Sequence, residues 1–183
     1  MTGWNAALDW NLLGWIHDHF SSGFWDVVML GASWIGNYAI IWVFAACLLL
    51  YSKRTRWQGI ALLAALITGF LIGNVLMKPL FARIRPSWPY DAPALLFPAP
   101  VDYSFPSGHA LSSFSAALVL TRTNKKFGWF ALPLAILIAL SRLYLYAHFP
   151  SDVLVGSIIG SVNGACVYSI GKRLAGRARS KVD

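Results

Sequence analysis

Residues 27–56 read VVMLGASWIGNYAIIWVFAACLLLYSKRTR. The stretch from Val27 to Tyr51 holds 25 residues without a charge and then stops at Lys53, Arg54 and Arg56. A helix crossing about 30 Å of hydrocarbon needs about 20 mostly apolar residues, so this run reads as a transmembrane helix closed by a basic stop. The rest of the chain agrees. Of 183 residues, 57% are in the apolar set AVILMFWYC and 12% are charged, against about 25% charged in a soluble domain. That composition excludes a soluble globular protein and a disordered chain.

Working outward, a second span is expected from Trp57 to Met77, ending at Lys78 and Pro79 because the residue before a proline is pushed out of helical geometry. The next 27 residues, Pro79 to Phe105, carry six of the nine prolines and read as a surface loop or lid. A third, shorter span opens at Pro106 or Ser107 and runs to Thr121; its Ser112, Ser113 and Ser115 predict a face packed on protein. A fourth covers Phe127 to about Tyr146 and a fifth Pro150 to Ile170. Trp4 to Phe20 is interrupted by Asp9, His17, Asp18 and His19, and is expected to lie in the interface as a helix. An arm packed on the bundle, or a sixth span, is the alternative. The expected architecture is therefore all-α: a polytopic membrane helix bundle of about five transmembrane helices plus an N-terminal interfacial helix, forming a single domain over residues 1–183.

With no Lys or Arg before Lys53, the N-terminal stretch lacks the basic flank of a signal peptide, and no cleavage is expected. Cys47 and Cys166 lie within apolar runs without the spacing of a zinc or redox motif, and read as small packing residues.

The net charge of +8 comes from fifteen Lys and Arg against seven acids, all of them Asp. Sorted by loop, Lys53, Arg54, Arg56, Arg122, Lys125, Lys126, Lys172, Arg173, Arg177, Arg179 and Lys181 fall on one side, which the positive-inside rule assigns to the cytoplasm together with the C-terminus. Trp57 and Trp129 beside these clusters, and Trp25 and Trp88 at the opposite boundary, fit aromatic belts. The C-terminal basic run reads as a topology signal and a contact for anionic lipid, and no nucleic-acid partner is expected. The other side receives only Lys78, Arg83, Arg85 and Arg142 among the cations, with Asp9, Asp18, Asp26, Asp91, Asp102 and Asp152.

Cations at that end are costly unless something requires them. Three fall into spaced patterns: Lys78 separated by six residues from Arg85 and Pro86; Pro106, Ser107, Gly108 and His109 in a row; and Ser141 with Arg142 ahead of His148 and Asp152. Lys78, Arg85 and Arg142 suit a bound dianion, two of them with forked donors. Ser107, Gly108 and His109 open a helix whose first amides attract an anion, and Gly108 lets the backbone approach it closely. Pro150 should end the fourth helix and start the fifth, placing His148 at the turn and Asp152 in the next first turn. Asp152 can then hold one imidazole nitrogen and leave the other free to attack phosphorus. Arg142 is expected about 9 Å down the helix from His148. His109 is left as the general acid for the leaving oxygen. Arg83 belongs to no pattern and is assigned to interface or loop packing, as are His17 and His19.

In order and spacing these patterns resemble the motifs K-x6-RP, PSGH and SR-x5-H-x3-D of the type 2 phosphatidic acid phosphatase superfamily. That family includes bacterial undecaprenyl-diphosphate phosphatases, phosphatidylglycerophosphatase B-like enzymes, glucose-6-phosphatase and vanadium haloperoxidases. The resemblance spans the core 78–152, and every motif position matches. It implies that His148 is a nucleophile forming a phosphohistidine, that Asp152 orients it, that His109 is the acid, and that Lys78, Arg85, Ser107, Gly108 and Arg142 bind phosphate. It also implies no metal and no other cofactor, with which the lack of a carboxylate cluster agrees. The expected activity is hydrolysis of a terminal phosphate from a lipid mono- or diphosphate at the extracytoplasmic face of the cell membrane. Undecaprenyl diphosphate leads; phosphatidylglycerophosphate or phosphatidate is the alternative, and a non-hydrolytic lipid-phosphate transporter a distant one.

Overall fold

The computed structural model describes residues 6–88, 96 and 100–179. Trp4, Asp91, Lys181 and most of the middle of the expected lid lie outside the described residues. Every regular element among those described is helical: α1 (Ala6–Phe20), α2 (Gly23–Gly36), α3 (Ile40–Tyr51), α4 (Arg56–Phe70), α5 (Lys78–Phe81), α6 (Gly108–Thr123), α7 (Lys125–Tyr144) and α8 (Pro150–Arg179). Four segments, Gly23–Tyr51, Arg56–Phe81, Lys125–Tyr144 and Pro150–Arg177, are long and apolar enough to cross a membrane, and the protein is a multi-pass membrane bundle.

The third expected span, α6, is not among those four and forms the centre of the bundle. Its 16 residues cover about 24 Å, short for a bilayer, but it packs chiefly on α8, α7 and α4 and so has little lipid to match. Its serines face protein as expected: Ser113 and Ser115 are fully buried, the Trp42 indole N–H donates to Ser113 Oγ at 3.0 Å, and Ser115 Oγ donates to the Gly160 carbonyl at 2.9 Å. Ser107 caps the start of α6, its Oγ accepting from the Ala110 amide. Asn124 ends α6 and caps α7 through the Lys126 amide, so one residue reverses the chain.

Two spans depart from the expected plan. The first, expected as one helix from Val27 to Tyr51, breaks into α2 and α3 across a 3₁₀ turn at Asn37–Ala39, where Tyr38 and Ala39 take φ of 52° and 56°. These are left-handed values that non-glycine residues adopt only when the surroundings impose them. The second does not stop at Met77: α4 passes through a π-helical turn over Leu71–Met77 into α5. Pro79 lacks an amide and would clash with the carbonyl four residues earlier. The wide turn, in which the Lys78 amide bonds Gly73 O, makes room for it, and the helix ends only where Ala82 turns left-handed at φ 43°.

At one end α1 docks as an arm on α7 and α8. Leu13 and Asp9 point inward and are buried, while Leu8, Trp10, Leu12, Trp15 and Phe20 are exposed. It combines the packed arm with an apolar outer face suited to an interface, and it is not among the helices long enough to span. His17 meets the Tyr146 ring edge-on and His19 stacks on Trp15. Cys47 and Cys166, expected as packing residues, are exposed on the outer surface, because α3 and α8 turn those positions away from α6.

Candidate active site

Lys78, Arg85, Gly108, His109, Arg142 and His148 line one cavity of about 1020 Å³. Ser107 and Asp152, both fully buried, stand behind its wall. The fold thus gathers all eight residues singled out from the sequence, but gives several of them partners that the motif spacing does not reveal.

His148 reaches the cavity by a chain reversal. Helix α7 ends at Tyr144, earlier than Pro150 alone implies; Tyr146 turns left-handed at φ 52°, and the amides of Ala147 and His148 both return to the Arg142 carbonyl at 3.0 and 3.2 Å. This doubling back is a C-terminal helix motif. His148 therefore lies over the last turn rather than 9 Å further along the axis from Arg142.

The Arg85 Nη1 donates to the Ala147 carbonyl at 2.6 Å and lies 3.1 Å from His148 Nε2. A guanidinium only donates, so Nε2 carries the lone pair and the ring proton sits on Nδ1. On that side Ser104 Oγ is 3.4 Å away and itself donates to Asp152 Oδ2, which also accepts the Phe149 amide at 2.9 Å. Asp152 Oδ2 lies 3.7 Å from His148 Nδ1, beyond hydrogen-bond length. Asp152 thus acts on the ring through Ser104 rather than by the direct contact expected. Burial, reinforced by the charges of Arg85, Arg142 and Lys78, holds the His148 imidazole well below its ordinary pKa and neutral.

The cations converge from three elements. Lys78 projects from the first turn of α5, Arg85 from the segment after it and Arg142 from the last turn of α7; all three are buried. The Asp102 carboxylate bridges two of them, accepting from Lys78 Nζ and from Arg85 Nη2 at 2.7 Å, and its carbonyl takes the Arg85 Nε at 2.7 Å. Arg142 Nη1 donates to Ser33 Oγ on α2. Burial also depresses the Arg85 guanidinium, against the opposing pull of Asp102.

His109 sits in the first turn of α6 with Nε2 at 3.0 Å from Asn37 Oδ1, so the break between α2 and α3 holds this ring. Gly108 also lies close to Asn74: a Cβ there would sit 3.0 Å from Asn74 Oδ1. The Ser107 amide donates to the Asp152 carbonyl at 3.1 Å and its Oγ caps α6, leaving the amides of Gly108 and His109 at the open N-terminus. Asn37, Asn74, Asp102 and Ser104 carried no signal, since each acquires its role only when helices distant in sequence meet.

Beyond the polar end, the same cavity runs as an apolar groove between the α2–α3 break and α4, lined by Trp34, Val43, Leu63, Leu66, Ile67 and Phe70. Among the described residues no three His, Cys, Asp or Glu side chains gather as metal ligands would.

A family model described as PAP2 superfamily matches residues 57–175. An undecaprenyl-diphosphatase of Sulfolobus acidocaldarius is 38% identical over 122 residues, covering 66% of this chain and 59% of that protein, so the chain spans less than two thirds of that relative's length. A decaprenylphosphoryl-5-phosphoribose phosphatase of Mycobacterium tuberculosis is 37% identical over 158 residues, covering 82% of this chain and 81% of that protein. Among solved structures, LpxE of Aquifex aeolicus superposes with a TM-score of 0.78 at 26% identity, covering 92% of this chain and 99% of that one.

Proposed function

The chain belongs to the PAP2 superfamily; on that premise we propose that it is a membrane phosphatase that removes the terminal phosphate of a lipid mono- or diphosphate through a phosphohistidine on His148. The observation that carries this reading is the neutral His148, whose Nε2 lone pair faces Arg85 in a cavity shared with Lys78 and Arg142.

The Nε2 lone pair attacks phosphorus while Lys78, Arg85 and Arg142 offset charge on the equatorial oxygens, which gain most from fixed donors in the transition state. The imidazole becomes positive as the P–N bond forms, and the Nδ1 proton is shared toward Ser104 and Asp152. The bond to the lipid oxygen breaks as that oxygen takes a proton from His109. Water then gives its proton back to His109, attacks phosphorus and breaks the P–N bond, releasing phosphate and restoring His148.

The apolar groove supports a lipid substrate, since it leads from the cations into the region where hydrocarbon would lie. Undecaprenyl diphosphate is the substrate favoured, in line with the Sulfolobus relative's name and with one groove suited to one long chain; phosphatidylglycerophosphate or phosphatidate is second. The basic clusters at the opposite helix ends support an extracytoplasmic site and a cytoplasmic C-terminus by the positive-inside rule. Phosphate release from the three lipids, measured side by side with purified protein, tests this reading. Fastest release is expected from undecaprenyl diphosphate. A preference for a glycerophospholipid would move the assignment to the second reading, and no release from any would sink both. His148→Ala should abolish turnover and the acid-labile phosphoprotein formed with labelled substrate.

A further inference from the structure

Arg83, assigned from sequence to loop or interface packing, is instead held in a buried ion-pair chain that ends on Asp152. Its Nη1 donates to Asp152 Oδ1 at 2.5 Å and to Ser151 Oγ at 2.6 Å, and its Nη2 to Asp9 Oδ2 at 2.6 Å. The guanidinium carbon lies 4.3 Å from the centre of the Phe149 ring. Its side chain is 10% exposed, that of Asp9 6% and that of Asp152 0%. Asp9, on α1, also accepts the Ser151 amide at 3.0 Å and the Ser151 hydroxyl at 2.6 Å. The two oxygens of Asp152 are thus divided: Oδ1 faces Arg83, and Oδ2 faces the Phe149 amide and the Ser104 hydroxyl that leads to His148 Nδ1.

A buried carboxylate with one oxygen unbonded could rotate about its terminal bond, a broad torsion in Asp, and the Ser104 relay would lose its acceptor. We propose that Arg83, clamped from the outside by Asp9, is a positioning residue that fixes Asp152 so that Oδ2 stays on the Ser104–His148 relay. Helix α1, far from the three motifs in sequence, thereby completes the active site. A forked donor is required, because one side chain must reach two carboxylates and a hydroxyl at once. The inference rests on the reading of His148 as nucleophile.

The test compares wild type, Arg83→Gln, Arg83→Lys, Asp9→Asn, the Asp9→Asn/Arg83→Gln double variant and Leu13→Ala. The last loosens the buried anchor of α1 without touching the ion pairs. Steady-state turnover of the best lipid substrate and thermal unfolding in detergent are measured for each. For Arg83→Gln, kcat should fall about 10- to 100-fold, as for other partners that orient a catalytic ligand, with KM within about twofold and Lys restoring only part of the loss. Asp9→Asn should lose less, and the double variant should be no worse than Arg83→Gln alone, since both act through one carboxylate. Wild-type kcat in Arg83→Gln, losses that multiply in the double variant, or a kcat loss in Leu13→Ala matching that of Arg83→Gln would each overturn the clamp. Absence of phosphate release by the wild type would instead remove the phosphatase reading on which it stands.

Discussion

Asp102 occupies Lys78 and Arg85, two of the three cations proposed to bind phosphate, with a carboxylate of its own. Burial alone would raise its pKa, but the hydrogen bond from Lys78 and the charge of Arg85 outweigh it and bring it to about 2 from an ordinary 3.8. A phosphoryl group entering the cavity competes with that anion for Lys78 and Arg85. In Asp102→Asn the competitor is gone, so vanadate, which mimics the phosphoryl transition state, should inhibit more strongly. Loss of one charge-assisted contact predicts an inhibition constant lower by about 5- to 30-fold, read from turnover at fixed substrate. The same variant has a signature in stability. Because its folded pKa is depressed, Asp102 stabilises the fold above about pH 4 and loses that contribution as pH falls toward 2. The unfolding midpoint in detergent should fall across that window less steeply in Asp102→Asn than in wild type. At this scale the eight motif residues were legible because their chemistry is local to short spacings. Asp102 and Arg83 were not, because a charged residue in a loop has no role until the fold chooses its partner.

The helices carry a second set of instructions, written in glycine. Gly156, Gly160 and Gly164 recur every four residues along α8, and a Cβ on each would press into the backbone of α6: 2.7 Å from Ser107 O, against Leu111 O, and 2.5 Å from Ser115 O. Backbone cannot yield as a flexible side chain can, so the two helices lie as close as glycine permits, the small-residue packing that membrane helices use in place of a hydrophobic driving force. On the proposed mechanism the contact sets the site geometry, since Ser107, Gly108 and His109 open α6 and Asp152 lies on α8. Gly160→Ala should separate them, costing about 1–3 kcal/mol of stability and lowering kcat. Gly176→Ala, on the same helix with nothing within 4 Å of its Cβ, should leave both unchanged. Thermal unfolding and turnover of the two variants decide it. The break at Asn37–Ala39 belongs to the same scale: apolarity predicted one span through it, because hydropathy measures burial in lipid and says nothing of a local left-handed turn.

Across the whole molecule, alternating helices sort the chain to two ends. Lys53, Arg54 and Arg56, Arg122, Lys125 and Lys126, and Lys172, Arg173 and Arg177 gather at one, while Arg85, Asp102 and His148 gather at the other with α1 beside them. Between the ends the groove follows α4 and α5 from Lys78 back to Leu63, about 22 Å at 1.5 Å per residue. A hydrocarbon chain in that groove would meet Leu66. Leu66→Trp should therefore raise KM for the long-chain substrate several-fold while sparing kcat/KM for a short, water-soluble phosphate ester. Equal losses on both substrates would show that the groove does not hold the tail.

By itself the sequence determined the membrane bundle and singled out His148, His109, Asp152 and the cations Lys78, Arg85 and Arg142 as candidates, because hydropathy over about 20 residues and motifs of at most twelve residues are local quantities. Only the tertiary structure decided that Asp152 reaches His148 through Ser104, that Asp102 holds two of the cations, that α2 breaks to meet His109, and that α1 closes on Asp152 through Arg83. Each of these is a contact between side chains tens of residues apart. Its energy depends on burial and distance, and those exist only once the helices have packed.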